Sequence, residues 1–154
     1  MSIILKEKII EVKQSVKADV KPKIDKQGRA YATGKRKNAI AKVWIKKGTG
    51  KLQVNGLEAL KYFGREILFN IVREPFVATK NDNKFDVIAK IVGGGKSGQA
   101  GALAHGISKA LVAYDYANHS VLRGSDFLTR DSRVVESKKY GYKKARKGQT
   151  YRKR

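Results

Sequence analysis

The stretch from Lys90 to Gly101, KIVGGGKSGQAG, contains the residues of this chain best suited to binding a ligand. Glycines at 93 to 95 let the backbone come close to a bound group, and Lys96 supplies a positive charge. A helix-like run follows directly, so the free N–H groups of its first turn would add a partial positive charge there. The pattern favours contact with a phosphate. A tight strand-to-helix turn without a ligand is the alternative.

The loop departs from the pattern of a nucleotide-hydrolysing P-loop. The Walker pattern G-x-x-x-x-G-K-[ST] ends correctly at Gly95, Lys96 and Ser97, but its first glycine would fall at position 90, which is Lys90. The later acids lie in polar settings and not on an apolar strand, where a magnesium ligand is expected. These acids are Asp115, Asp126, Asp131 and Glu136. A phosphate of any kind would fit the loop.

The composition favours a polyanion as the partner. The 154 residues include 35 lysines and arginines against 13 acids, a formal net charge of +22, and such a chain repels itself strongly without a counter-charge. At 41% hydrophobic residues it can still bury one modest core. It has no cysteine, and the isolated His105 and His119 cannot form an ordinary zinc site, so neither a metal nor a cofactor is predicted. No apolar run approaches the roughly 20 residues of a membrane span.

Two further basic clusters point to nucleic acid. TGKRKNAIAK places Lys35, Arg36 and Lys37 immediately before the first predicted strand, where they fit either a solvated turn or phosphate contacts. The segment 137–154, SKKYGYKKARKGQTYRKR, has nine lysines and arginines, no acid, and interleaved tyrosines that can stack on bases. Its repulsion predicts a tail that stays extended until RNA neutralises it.

The apolar pattern between these clusters predicts an α+β domain in the order β-β-α-β-α. AIAKVWIKKGTGKLQVNG predicts a hairpin of two strands, 39–46 and 51–54, joined by a turn at 48–50. LEALKYFG and REILFNIVRE follow with helical spacing, and Pro75 is predicted to end the helix. The apolar face of that helix is predicted to consist of Ile67, Leu68, Ile71 and Val72.

A strand and a helix are predicted to hold the glycine loop between them. The strand has one apolar face, made of Phe85, Val87, Ala89 and Ile91. The helix has a stripe made of Leu103, Ile107, Leu111 and Tyr114. This organisation predicts a Lys-rich extension at 1–28, a globular domain at 29–130 and an extended basic tail at 131–154. In the extension, spacing permits a short amphipathic helix, made of Ile9, Val12, Val16 and Val20.

The motifs, taken in order, resemble the small-subunit ribosomal protein nine family of bacterial or organellar type. They are YATGKRKNAIAKVWI, QVNG, KIVGGGKSGQAGALAHGISKAL, LTRDSRVVESKKYGYKKAR and the terminal Lys-Arg, and they extend from about Tyr31 to Arg154. The combination of GGGKSGQAGA with LTRDSRVVE is far more specific than any basic tail. The resemblance implies the ribosomal protein S-five domain-two-like fold, a mixed sheet with helices, plus an extended basic C-terminal tail.

Membership would imply a structural component of the small-subunit head. The chain would bind the 3′ domain of small-subunit ribosomal RNA (rRNA) beside neighbouring head proteins, without a membrane, in a cytoplasmic ribosome or alternatively an organellar one. The residues expected to bind rRNA are Lys35, Arg36, Lys37, Gly94, Gly95, Lys96, Ser97, Gln99, Arg130, Arg133, Lys138, Lys139, Lys143, Lys144, Arg146 and Lys147.

The same resemblance implies a contact with transfer RNA. In that family the last residues reach the peptidyl site and touch the anticodon stem-loop of the bound tRNA, a role that falls here on Arg152, Lys153 and Arg154. The family's usual Phe-Ser before the terminal Lys-Arg is replaced by Tyr151-Arg152, which adds a charge and removes a hydroxyl.

Two other classes of function fit the sequence less well. Kinases of the galactokinase and homoserine-kinase group share the fold and a glycine loop, but they need magnesium-binding acids and a longer chain. A DNA-compacting protein would explain the charge but not the motifs. The sequence therefore favours an RNA-binding structural protein without catalysis.

Overall fold

Five strands form one mixed sheet in the computed structural model, which describes residues 22–150. They are β1 (Ala30–Arg36), β2 (Ala39–Lys47), β3 (Leu52–Val54), β4 (Leu57–Glu58) and β5 (Phe85–Val92). The strand order is β1-β2-β5-β3-β4. Only β3 and β5 pair in parallel, and the other neighbours are antiparallel. The predicted α+β class with a mixed sheet is confirmed.

The helices pack on one face of this sheet. They are α1 (Ala59–Phe63), α2 (Glu66–Ala78), α3 (Lys96–Tyr114) and α4 (His119–Gly124), with a 3₁₀ turn at Tyr116–Asn118 before the last. The long helix α3 lies against β1 and β2. Its predicted stripe is confirmed, since Leu103, Ile107 and Leu111 are fully buried and Tyr114 packs at the edge of the core.

The inner face of the sheet is built from alternating apolar residues. In β5 the predicted face is confirmed, because Phe85, Val87, Ala89 and Ile91 are all buried. In β1 the inward residues are small, namely Ala30, Ala32 and Gly34. The small side chains let α3 approach the strand at backbone distance. A Cβ atom on Gly34 would overlap the carbonyl of Ala102 and the amide of Gly106 on that helix.

The predicted hairpin between the second and third strands is wrong. Both strands exist, but β5 lies between them, and β2 instead forms a hairpin with β1. The carboxylate of Asp86 explains the path, since its Oδ1 accepts hydrogen bonds from the backbone N–H groups of Thr49 (2.8 Å) and Lys51 (2.9 Å). These bonds lower the pKa of Asp86 and carry the chain across β5 rather than back along β2.

The placement of the first basic cluster also needs correction. Lys35 and Arg36 were predicted to precede the first strand, whereas they are the last two residues of β1. The strand was missed because its inward positions are alanine and glycine, which are weak strand formers. Lys37 lies in the tight turn to β2, with a φ of 51°.

The helix after the short strands differs from the prediction in two respects. Gly64, with a φ of 67°, splits the segment into α1 and α2. Pro75 does not end α2, which continues to Ala78. The burial of Pro75 and Phe76 in the core offsets the lost N–H donor and the clash of the proline ring with the preceding turn. Ile67, predicted for the apolar face, is 74% exposed.

Candidate nucleic-acid interface

The glycine loop joins β5 to α3 as predicted and lies against the β1–β2 turn. Gly93 and Gly94 have φ values of 73° and 63°, a region that favours glycine. A Cβ atom on Gly93 would overlap the carbonyl oxygen of Asn38, and one on Gly94 would come within 3.0 Å of the Ala39 side chain. The loop therefore adopts a path that brings it into contact with the turn that follows Lys37.

A set of hydrogen bonds holds the loop in this position. The side-chain amide of Asn55 bonds both backbone groups of Ile91, at 3.0 and 2.9 Å. The amide of Gln99 donates to the carbonyl of Gly93 at 3.0 Å, and its Oε1 accepts from the Tyr62 hydroxyl at 2.9 Å. Gln99 was predicted to bind rRNA, but both ends of its side-chain amide form hydrogen bonds that stabilise the loop.

Lys96 is the first residue of α3, and its ammonium group contacts Tyr62 of α1. Its Nζ donates to the carbonyl of Tyr62 at 2.8 Å and lies 3.5 Å from the centre of the Tyr62 ring. An ammonium has three donors, so the contacts with the Tyr62 carbonyl and ring leave at least one for an anion. Ser97, Gly94 and Gly95 are exposed beside it.

The β1–β2 turn adds cations to the same end of the sheet. Lys35 and Lys37 are exposed. Arg36 turns inward over Gly101 of α3, where its Nε is buried without a hydrogen-bond partner among the described residues. The structure thus places Lys37 in the turn that contacts the glycine loop and Lys35 one strand position before Arg36, while Arg36 itself has a different contact.

That contact is an ion cluster centred on Asp131. Arg36 Nη2 lies 3.0 Å from Asp131 Oδ2, and Arg133 binds both carboxylate oxygens through its guanidinium, at 3.0 and 2.9 Å. The Arg133 bonds, with Arg36 adding attraction, hold the pKa of Asp131 far below its usual range. The LTRDSRVVE motif therefore fixes the start of the C-terminal segment to β1.

Removing this charge is expected to loosen the segment without unfolding the domain. With Asp131→Asn, amide hydrogen exchange over 131–136 should accelerate severalfold, because Arg36 and Arg133 lose their common anion. A carboxylate whose pKa is depressed in the folded state stabilises that state at any pH above its ordinary pKa of about 3.9. This stabilisation is lost as the pH falls through the folded-state pKa. Acidification of the wild type should therefore release the segment only well below pH 4. Asp126→Asn, at an exposed position without an ion pair among the described residues, is the control, and equal exchange in both variants would contradict the anchor.

The C-terminal segment continues without helix or strand through residue 150. Its predicted rRNA-binding lysines are all exposed, namely Lys138, Lys139, Lys143, Lys144 and Lys147. Arg146 is also exposed but pairs with the carboxylate of Glu136. Tyr140 is fully exposed and Tyr142 partly so, as rings available for stacking would be. The predicted tRNA-binding residues 152–154 and the N-terminal residues 1–21 lie outside the described part of the chain.

A second basic surface joins Lys35 and Arg130, both predicted to bind rRNA, to two residues of α3 that were not predicted. A groove of about 770 Å³ between β1 and α3 includes Lys35, His105, Lys109 and Arg130. His105 is half-buried, and its burial lowers its pKa, which favours the neutral ring. The signal for this groove was the spacing of His105 and Lys109, four residues apart on one helix face.

Two negative findings concern residues 22–150. None of the helices there has the length and apolar character required to span a bilayer. The same residues bring no three metal-ligating side chains together.

The fold and this surface define a small basic α+β protein with exposed cations at the glycine-loop end of the sheet and along the C-terminal segment. Residues 34–154 match the profile of the family described as Ribosomal protein S9/S16. The match covers well over half of the chain, so the chain belongs to the ribosomal protein S9/S16 family, and the resemblance seen in the sequence is confirmed.

Membership establishes the general role. The protein is a small-subunit ribosomal protein that acts in translation as part of the ribosome, with rRNA and other ribosomal proteins as partners. The family is structural rather than enzymatic.

Proposed function

We propose that this chain binds the 3′ (head) domain of small-subunit rRNA through the glycine-loop end of its sheet and its C-terminal segment. The observation that supports the proposal is the contact between the glycine loop and the β1–β2 turn, which places the exposed Lys37 at the same end of the sheet as the exposed start of α3 and its Lys96. Cations and free backbone N–H groups converge there, as phosphate binding requires.

The mechanism is neutralisation of the RNA backbone. Each phosphate contact releases condensed counterions, so binding is driven by salt release and weakens as salt rises. The folded domain supplies a fixed cluster, while the C-terminal segment supplies exposed lysines that RNA can order along its path. The anchor at Asp131 sets the direction in which this segment leaves the domain.

The test is a comparison of rRNA fragments. The full chain should bind a 3′-domain transcript at 150 mM salt more tightly than a 5′-domain transcript of equal length, and hydroxyl-radical footprints should lie in the 3′ domain. Equal binding of both transcripts at that salt would contradict the proposal, because charge alone would then account for the affinity.

The glycine loop is expected to bind RNA phosphate and not a nucleotide. Calorimetry should detect no saturable, magnesium-dependent binding of ATP. Lys96→Ala should weaken binding to the 3′-domain transcript and lower the salt slope by about one, as loss of one phosphate contact does. Lys84→Ala, at the opposite end of the sheet, is the matched control. Micromolar ATP binding, or an unchanged salt slope in the Lys96 variant, would count against this role.

We further propose that the terminal residues Arg152, Lys153 and Arg154 contact the anticodon stem-loop of peptidyl-site tRNA. Deleting them should leave assembly largely intact, because many other cations hold the domain. Loss of three charges is expected to weaken tRNA by about 1 kcal/mol, roughly fivefold in dissociation rate. Dissociation from purified small subunits across a salt series measures this, and unchanged dissociation at low salt, with the deletion verified in the particles, would show that the tail end does not support tRNA.

A further inference from the structure

The face of the sheet opposite α3 carries aromatic and basic side chains in register. Tyr31, Trp44, Ile88 and Gln53 form one row across four strands, since Tyr31 is paired with Trp44, Trp44 with Ile88, and Ile88 with Gln53. The next row places Thr33 beside Lys42 and Lys42 beside Lys90. Tyr31, Lys42, Trp44, Ile88 and Lys90 are called here the sheet-face patch.

The apolar members of the patch are accessible. Tyr31 is 44% and Ile88 is 49% exposed, and the rings of Tyr31 and Trp44 lie 5.2 Å apart at 40°. Ile40 and Val92, paired with each other at the end of the same face, are also exposed. These exposed apolar side chains flank the lysine row on both sides, and exposed apolar surface beside charged groups favours the binding of a partner.

The charges of the patch indicate an anionic partner. Lys42 and Lys90 are directly opposite each other on neighbouring strands, an arrangement that destabilises a sheet unless something neutralises it. Two acids lie on this face. Asp86 is half-buried, and its Oδ1 already accepts two backbone hydrogen bonds. Glu58, on the edge strand β4, is exposed and lies 4.0 Å from Lys61. An anion bound between Lys42 and Lys90 would remove the repulsion.

We propose that the sheet-face patch binds an unpaired stretch of RNA, a proposal that rests on the proposed function and specifies a second binding surface for it. Bases stack on Tyr31 and Trp44, and backbone phosphates lie between Lys42 and Lys90, since aromatic rings within a cationic surface suit single strands. The two rows are about 7 Å apart along the strands, so one bound strand can reach both the rings and the lysine pair. The chain's own residues 1–21 make a poor occupant, because they carry five lysines against three acids.

Trp44 is the chain's single tryptophan, so its fluorescence reports on this face alone. The full chain is titrated with an unstructured ten-nucleotide RNA, with a duplex RNA of equal charge and with a poly-glutamate peptide, while total RNA binding is followed separately by filter retention. The single strand should quench Trp44 in a saturable way and the duplex should not. Tyr31→Leu should weaken the quenching isotherm at least about fivefold, as loss of a base-stacking ring does.

Paired charge variants complete the test. Lys42→Gln with Lys90→Gln should weaken the quenching isotherm and lower its salt slope, whereas the control Lys47→Gln with Lys84→Gln should leave both unchanged. RNA retention on the filter with an unquenched Trp44 would overturn this inference while the proposed function stands. Loss of all RNA retention would reject the proposed function itself. Quenching by poly-glutamate but not by RNA would identify an acidic protein segment as the occupant and overturn the inference as well.

Discussion

Neutralising the lysines of the C-terminal segment is expected to reduce affinity for the 3′-domain transcript by at least about 100-fold at 150 mM salt. The variant replaces five exposed lysines by glutamine, namely Lys138, Lys139, Lys143, Lys144 and Lys147. Arg146 is kept because it pairs with Glu136. If each lysine contacts one phosphate, the salt slope should fall by about four. A titration series from 50 to 300 mM salt measures both quantities.

The chain offers a control of equal charge. Five exposed lysines lie at the other end of the sheet or in the preceding arm, namely Lys23, Lys26, Lys47, Lys80 and Lys84. Their replacement by glutamine produces the same net charge and should lower the salt slope by less than about one. An equal loss in both variants would show that net charge, and not the C-terminal segment, determines binding.

The largest effect on stability is expected from Gly34→Ala. The added methyl group would overlap backbone atoms of Ala102 and Gly106 on α3, and no flexible side chain stands there to move aside. Because α3 forms its most extensive packing with β1, helix and strand must separate, at a cost of about 3 kcal/mol or more. Urea unfolding followed by Trp44 fluorescence and circular dichroism gives the loss directly.

Gly124→Ala is the matched control for that substitution. A Cβ atom on Gly124 would meet no atom within 4 Å among the described residues, and the position is helical. Alanine there should leave stability unchanged or raise it by up to about 1 kcal/mol. Similar unfolding midpoints for the two variants would contradict the close approach of α3 to β1.

The sequence predicted elements whose apolar pattern is strong and local. The strand at 85–92, the glycine loop and the stripe of α3 follow from residues that alternate with clear periods. The pairing of strands did not follow, because the path after β2 depends on the carboxylate of Asp86, which is distant in sequence from Thr49 and Lys51. β1 was not predicted from the sequence because the close packing of α3 requires small residues on this strand, and alanine and glycine are weak strand formers.

The candidate site was predictable as a set of charges and not as a geometry. The sequence placed Arg36 and Lys96 among phosphate-binding residues. In the structure Arg36 forms an ion pair with Asp131, and Lys96 donates a hydrogen bond to the carbonyl of Tyr62. Those partners lie 95 and 34 positions away along the chain, so no local sequence pattern predicts these contacts. The sheet-face patch was missed for the same reason, since register across three strands brings Tyr31, Trp44 and Ile88 together.

Binding of this protein to the 3′ domain of rRNA, in the small-subunit head, can be tested directly in assembled particles. Salt-washed small subunits carrying the tagged chain can be irradiated, and the rRNA positions crosslinked to the chain read by sequencing. We predict crosslinks in the 3′ domain that depend on Lys35, Lys37 and the lysines of the C-terminal segment. Absence of the chain from the washed subunits, or crosslinks confined to other rRNA domains, would contradict the account.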